Sequence, residues 1–122
     1  MVDAINQSQR AKFIYSDEDK ISVDGDLSGP YFKSDFSIDL LRSNNYICHF
    51  LTIKRTLGEK INWFRKGFEG SQDHDLVLRL VEQVSTDKIH HIPRVLYHWR
   101  VIPGSTASEY SEKDYAFEAG KK

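Results

Sequence analysis

The sequence predicts an α/β fold with a mixed sheet and flanking helices. Three observations carry that expectation: a β-rich run at 12–16, an amphipathic helical pattern at 72–84, and two β-rich runs directly after it, at 88–92 and 95–100. The chain has 122 residues, enough for one domain with a modest core. Its 12% aromatic content is unlike that of disordered chains, and the single cysteine, Cys48, excludes an intrachain disulfide framework. A formal net charge of -1 with interspersed signs offers no bulk field for nucleic acid or an anionic membrane. No apolar run approaches the roughly 18 residues of a membrane span, and 1–12 lacks a secretory apolar segment. The expectation is a soluble cytoplasmic protein that does not bind nucleic acid.

Val2 and Ile5 at helical spacing suggest the end of a helix. Lys12 to Ser16 reads as a strand bounded by the acidic cluster Asp17-Glu18-Asp19. Asp24-Gly25 and Gly29-Pro30 are turn signals. Phe36 to Leu41 suggests a short helix opened by Asp35 or Ser37. Tyr46 to Lys54, apolar on both faces, reads as a central strand. Thr56 to Ile61 suggests a helical turn, and 67–70 a loop. Ser71 can cap a helix over 72–84. Pro93 separates the last two strand runs and should bend the backbone or lie at an edge. Residues 103–106 read as a loop and 108–122 as a polar helix or tail.

Helix geometry sets two carboxylates apart. Measured from Asp73 at 100° per residue, Leu76, Val77, Leu80, Val81 and Val84 form a stripe centred within a few tens of degrees of it. Asp73 is therefore expected to point inward, unless it serves only as a first-turn carboxylate at the helix dipole. Asp75 lies about 200° away, facing Arg79 at i+4, and is expected to be a surface ion pair. His90 and His91 should point to opposite faces of a strand, and no histidine spacing matches a zinc motif. His98 should share a face with Leu96 and Arg100, opposite Val95, Tyr97 and Trp99. The acidic triplet offers oxygen ligands for a divalent cation, or a plain solvated loop. Cys48 reads as a small buried hydrophobe. Phosphate-binding glycine loops are absent, and basic residues are scattered along the sequence.

The segments FIYSDEDKI at 13–21, PYFKSDFSIDLLRSNNYICHFLTIKR at 30–55, WFRKGFEGSQDHDLVLRL at 63–80 and HHIPRVLYHWRVIPGSTA at 90–107 resemble, in that order, the second half of glycosyltransferase family 2. The closest group is the rhamnosyltransferase-like and O-antigen polysaccharide enzymes. The resemblance implies part of a GT-A fold: residues 1–107 would be the acceptor-side half, with the N-terminal nucleotide-binding half absent and Met1 inside the connecting helix. It implies transfer of a sugar from a nucleotide-sugar donor to an acceptor hydroxyl, with Mg²⁺ or Mn²⁺ in the intact enzyme. Asp73, in the pair Gln72-Asp73 where the family usually has Glu-Asp, would be the general base. His98 and Arg100 would contact the donor diphosphate, or His98 the metal. Gln72 and Trp99 would lie on the acceptor side, and 102–106 would match a mobile loop. The family's acidic metal motif lies upstream of these segments, so Asp17-Glu18-Asp19 would not be that site. Without the donor half the chain would be inactive alone and would bind no cofactor tightly. Its uncovered surface would favour a homo-oligomer, and the full-length protein could associate with a membrane. Two alternatives stand beside this reading: a non-catalytic carbohydrate-binding or assembly module using Trp63, Phe64, Tyr97 and Trp99, and a small metal-dependent hydrolase built from Asp17, Asp19, Asp73 and His98.

Overall fold

A computed structural model describes residues 1–8 and 10–102. The sequence-predicted loop at 103–106 and the tail at 108–122 lie outside the described residues. The architecture is α/β, a mixed four-stranded sheet flanked by helices, consistent with part of a nucleotide-sugar transferase-like fold. In chain order the elements are α1 (Val2–Gln7), β1 (Phe13–Ile21), β2 (Leu27–Tyr31), α2 (Ile38–Ser43), β3 (Leu51–Ile53), α3 (Arg55–Lys60), α4 (Gln72–Val81) and β4 (Ile89–Arg100), with a 3₁₀ turn at Thr86–Lys88. Among the described residues no helix is long and apolar enough to cross a membrane.

The central strand is β1. The parallel β4 accompanies it along its whole length. Antiparallel β3 pairs with its start, Phe13 to Tyr15, and antiparallel β2 with its end, Glu18 to Ile21. Central position explains why β1 is buried from Phe13 to Asp19. The expected strand thus runs on through the acidic cluster, which is interior rather than a bounding loop. Asp24-Gly25 makes the β1–β2 turn, with Gly25 at a φ of 94° that favours glycine. Gly29-Pro30 is no turn. It forms a bulge within β2, where Gly29 and Pro30 oppose the single residue Asp19 of β1 between the pairs Lys20–Ser28 and Glu18–Tyr31.

Two strand expectations are corrected by long-range contacts. The segment expected as a central strand over 46–54 keeps only Leu51–Ile53 in the sheet. Tyr46 instead packs edge-on against Tyr15, and the carbonyls of Ile47 and His49 accept from the Lys33 ammonium, so their polarity is satisfied outside any ladder. Conversely, the two runs flanking Pro93 are one strand. The register passes from Ser16–Ile92 to Asp17–Val95, and the bulge so formed takes up Pro93 and Arg94, where a missing N–H costs no ladder bond.

The helices follow local rules more closely. Ser37 caps α2, its Oγ accepting from Leu40 N at 3.3 Å. Helix α4 starts after Ser71, which makes no side-chain cap bond, and ends at Val81, three residues short of expectation. Its Leu76, Val77, Leu80 and Val81 join Phe13 and Tyr15 of β1 and Leu41 of α2 in the core. At α3, Asn62 and Trp63 adopt φ of 58° and 52° and fold the indole onto Gly58, where an added Cβ would meet the ring at 2.3 Å. Only glycine admits that contact.

Candidate functional site

The sheet register assembles a polar interior around the acidic cluster. Tyr15 opposes His91 across β1 and β4, and their rings stack at 4.8 Å. His91 Nε2 lies 2.8 Å from Asp17 Oδ1, which also accepts from Lys33 N at 2.9 Å; His91 Nδ1 is 3.2 Å from Asp35. Glu18 accepts from His49 N at 3.1 Å, meets His49 Nδ1 at 3.2 Å, and pairs with Lys33 Nζ at 3.4 Å. Asp19 is hydrogen-bonded to Nδ1 of His98, its direct neighbour across the register. Each carboxylate of the triplet thus has a partner. Among the described residues no group of three or more histidine, cysteine or acidic side chains is arranged to hold a metal ion. The cluster is no solvated loop: it is an interior hydrogen-bond network.

Lys33 is the residue that sequence reading missed. Its side chain is fully buried between Glu18 and the carbonyls of Ile47 and His49. Burial pulls its ammonium below the usual lysine range, and the attraction of Glu18 only partly offsets that pull. A lysine between Phe32 and Ser34 carries no local signal of burial; only the fold reveals it. Tyr15 is similarly constrained. Burial, then its contact with Tyr46, pushes its phenol well above the ordinary tyrosine range, and its hydroxyl donates to Ser34 O at 2.7 Å.

Helix α4 reverses the expected roles of its two carboxylates as regards burial. Asp75 is the buried one: its side chain is 6% exposed, with Arg65 Nε and Arg79 Nε donating to its two oxygens at 2.9 Å each. Burial alone would raise its carboxyl, but the hydrogen bonds and charges of the two arginines prevail and hold it below the usual range. Arg79 also donates to the carbonyls of Ile61 and Trp63, at 2.9 and 2.6 Å. The loop after α3 is thereby tied over the helix face that a two-sided wheel assigns to water. Asp73, expected to point inward, is exposed. It lies one turn before Leu76, the first buried apolar residue of the stripe, so its side of the helix emerges from the core at that end. It has no hydrogen-bond or ion-pair partner among the described residues. Beside it, Gln72 Oε1 accepts from Gly70 N at 2.6 Å, closing the loop onto the helix start.

The other expected site residues lie on β4, which alternates as predicted: Leu96, His98 and Arg100 are exposed, while Val95, Tyr97 and Trp99 are half-buried. Tyr97 stacks on His49 at 4.7 Å and Trp99 tilts against it at 5.4 Å. Of the rings proposed for sugar stacking, those two are thus engaged internally and Trp63 covers Gly58, leaving Phe64 as the most exposed. No hydrogen bond or ion pair joins Asp73 to His98 or Arg100 among the described residues. Cys48, half-buried, donates its thiol to Asn45 O at 2.9 Å.

No protein-family model matches the chain. Over its whole length it is 45% identical to the uncharacterized protein y4gI of Sinorhizobium fredii, and it spans 13% of that protein. Over 107 residues, 88% of the chain, it is 44% identical to the O-antigen biosynthesis protein RfbC of Myxococcus xanthus, and it spans 8% of that one. The chain therefore corresponds to a small part of each of these curated relatives.

Proposed function

We propose that the chain is the acceptor-side part of a family 2-like glycosyltransferase that builds a polysaccharide or cell-surface glycan. The observation that carries this reading is the division between the carboxylates of α4. Asp75 is committed to two arginines that fasten the helix to its neighbouring loop, whereas the Asp73 side chain is presented to solvent, unpartnered among the described residues, on the first turn. Similarity to a protein named for O-antigen biosynthesis supports the same reading.

In this reading Asp73 removes the proton from an acceptor hydroxyl as its oxygen attacks the anomeric carbon of the donor. The bond from that carbon to the diphosphate breaks, and the diphosphate leaves. Gln72 holds the loop against the base, and Trp99 supports the acceptor side. His98 and Arg100 counter charge on the leaving group. The hydrogen bond from His98 Nδ1 to Asp19 fits either task given to this ring. Neutral, it presents a lone pair at Nε2 suited to Mg²⁺ or Mn²⁺; protonated, it presents an N–H suited to a phosphate oxygen. A divalent cation, when bound, would supply further neutralisation of the diphosphate.

The test is sugar transfer by the longer protein that carries this segment, assayed with a panel of nucleotide-sugars, Mg²⁺ or Mn²⁺ and glycan acceptors. Transfer that falls much further in His98→Ala than in the separately folded-checked His91→Ala is the expected result. Absence of transfer and of donor hydrolysis across the panel would defeat the reading.

A further inference from the structure

The basic residues scattered in sequence are gathered in space at the start of β1. The backbone N–H of Lys54 donates to Lys12 O at 2.8 Å, and that of Lys12 to Lys88 O at 2.9 Å. These bonds lie just beyond the pairs Phe13–Ile53 and Phe13–Ile89, so the backbones of the three lysines meet where β3, β1 and β4 come together. All three, with Arg10, line a recess of about 440 Å³, in which the only carboxylate among the described residues is that of Asp87. Among the described residues none of these four cations has a carboxylate within ion-pair distance, although elsewhere in the molecule Lys33, Arg65 and Arg79 each have one. Asp87, its carboxyl held below the usual range first by Ser85 and then by the charges of Lys88 and Arg10, offsets one of the four cations, so the described lining of this concave place keeps a net positive charge.

We infer that this recess binds a phosphate-bearing anion, with room to engage more than one phosphate. Lysine ammonium groups are compact point charges suited to phosphate oxygens, and an anion among them relieves the mutual repulsion of like charges gathered in one recess. The volume falls within the range of small-molecule sites, about 300–1,000 Å³. The recess is distinct from the proposed transfer site: Lys12 precedes Asp19, the partner of His98, by seven strand residues, about 23 Å. Its ligand is therefore separable from the donor, and the inference does not depend on the transferase reading.

Titration of the 122-residue chain with inorganic pyrophosphate at low ionic strength tests the site, alongside sedimentation with phosphatidylcholine vesicles containing or lacking phosphatidic acid. The expected result is saturable pyrophosphate binding that weakens with salt. It should weaken about tenfold in Lys54→Gln and further in the double variant Lys12→Gln with Lys88→Gln, as loss of charge-assisted bonds implies. Arg94→Gln, on the exposed β4 bulge, should bind like the parent. Binding to phosphatidic acid vesicles that shows the same dependence on these lysines, without pyrophosphate binding, would support the recess with a lipid phosphate as its ligand. No saturable binding to either probe, or affinity unchanged in Lys54→Gln, overturns the inference. Because Lys54 is exposed, that single variant decides the matter even if the double variant fails to fold.

Discussion

The interior of β1 and the first turn of α4 are both rich in carboxylates, yet they treat them in opposite ways. Along β1, Asp17, Glu18 and Asp19 are buried, and each is matched by a histidine or by Lys33. On α4, Asp75 follows the same rule, while Asp73, two residues earlier, is exposed and unmatched. Removing a charge from water is costly unless a partner compensates, so a buried, matched carboxylate is committed to the fold. An exposed carboxylate on a helix that Asp75 fastens to its neighbouring loop is available for something else. The comparison separates residues that hold the structure from residues that can act through it.

The largest expected effect lies at the interior network. Lys33→Met leaves Glu18 buried without its cation and two carbonyls without a donor, and should cost about 3–5 kcal/mol in chemical denaturation. Adding Glu18→Gln should cost less than the sum of the two single changes, because the variants share one partner. Strict additivity would show that the pair is not coupled as its geometry implies.

Gly58→Ala should cost about 1–3 kcal/mol, since the new methyl must displace the Trp63 ring. Loss of native indole fluorescence shift in the folded variant would accompany it. An unchanged melt would mean that the indole moves aside without cost.

Asp75→Asn should cost a similar amount, about 1–3 kcal/mol, by removing the negative charge between two arginines and replacing one acceptor oxygen with an amide NH2 that cannot accept. Its pH dependence has a definite sign. The folded carboxyl titrates below its ordinary value of about 3.9, so its stabilisation is present above that value and is lost as pH falls through the folded pKa. Between pH 5 and pH 2, as rough limits, the parent should lose more stability than Asp75→Asn does.

Much of the local structure was legible in sequence because it depends on near neighbours. The Ser37 cap, the Asp24-Gly25 turn, the start of α4 and the alternation of His98 with Trp99 all rest on contacts within a few residues. The opposed faces of His90, exposed, and His91, packed on Asp17, follow from the strand period alone. What sequence could not supply involves partners far along the chain. Strand 46–54 is shortened because Lys33 captures its carbonyls, and Pro93 is absorbed by a bulge that only the register with β1 defines. Asp75 is buried because Arg65 and the carbonyls of a preceding loop close over a face that a helical wheel leaves open. The lysine cluster joins positions 12, 54 and 88, which no local window contains.

The central claim is that Asp73 acts chemically and Asp75 structurally, and one paired measurement tests it. Thermal melts and turnover are compared for Asp73→Asn and Asp75→Asn in the longer protein. Asp73→Asn should shift stability least of the variants considered, by less than about 1 kcal/mol, the scale of a first-turn charge at a helix dipole. It should nonetheless lower kcat by about 10² or more, because the amide cannot accept the proton. Asp75→Asn should melt earlier yet retain turnover while it remains folded. Near-parental turnover in Asp73→Asn, with turnover lost from folded Asp75→Asn, would contradict the account.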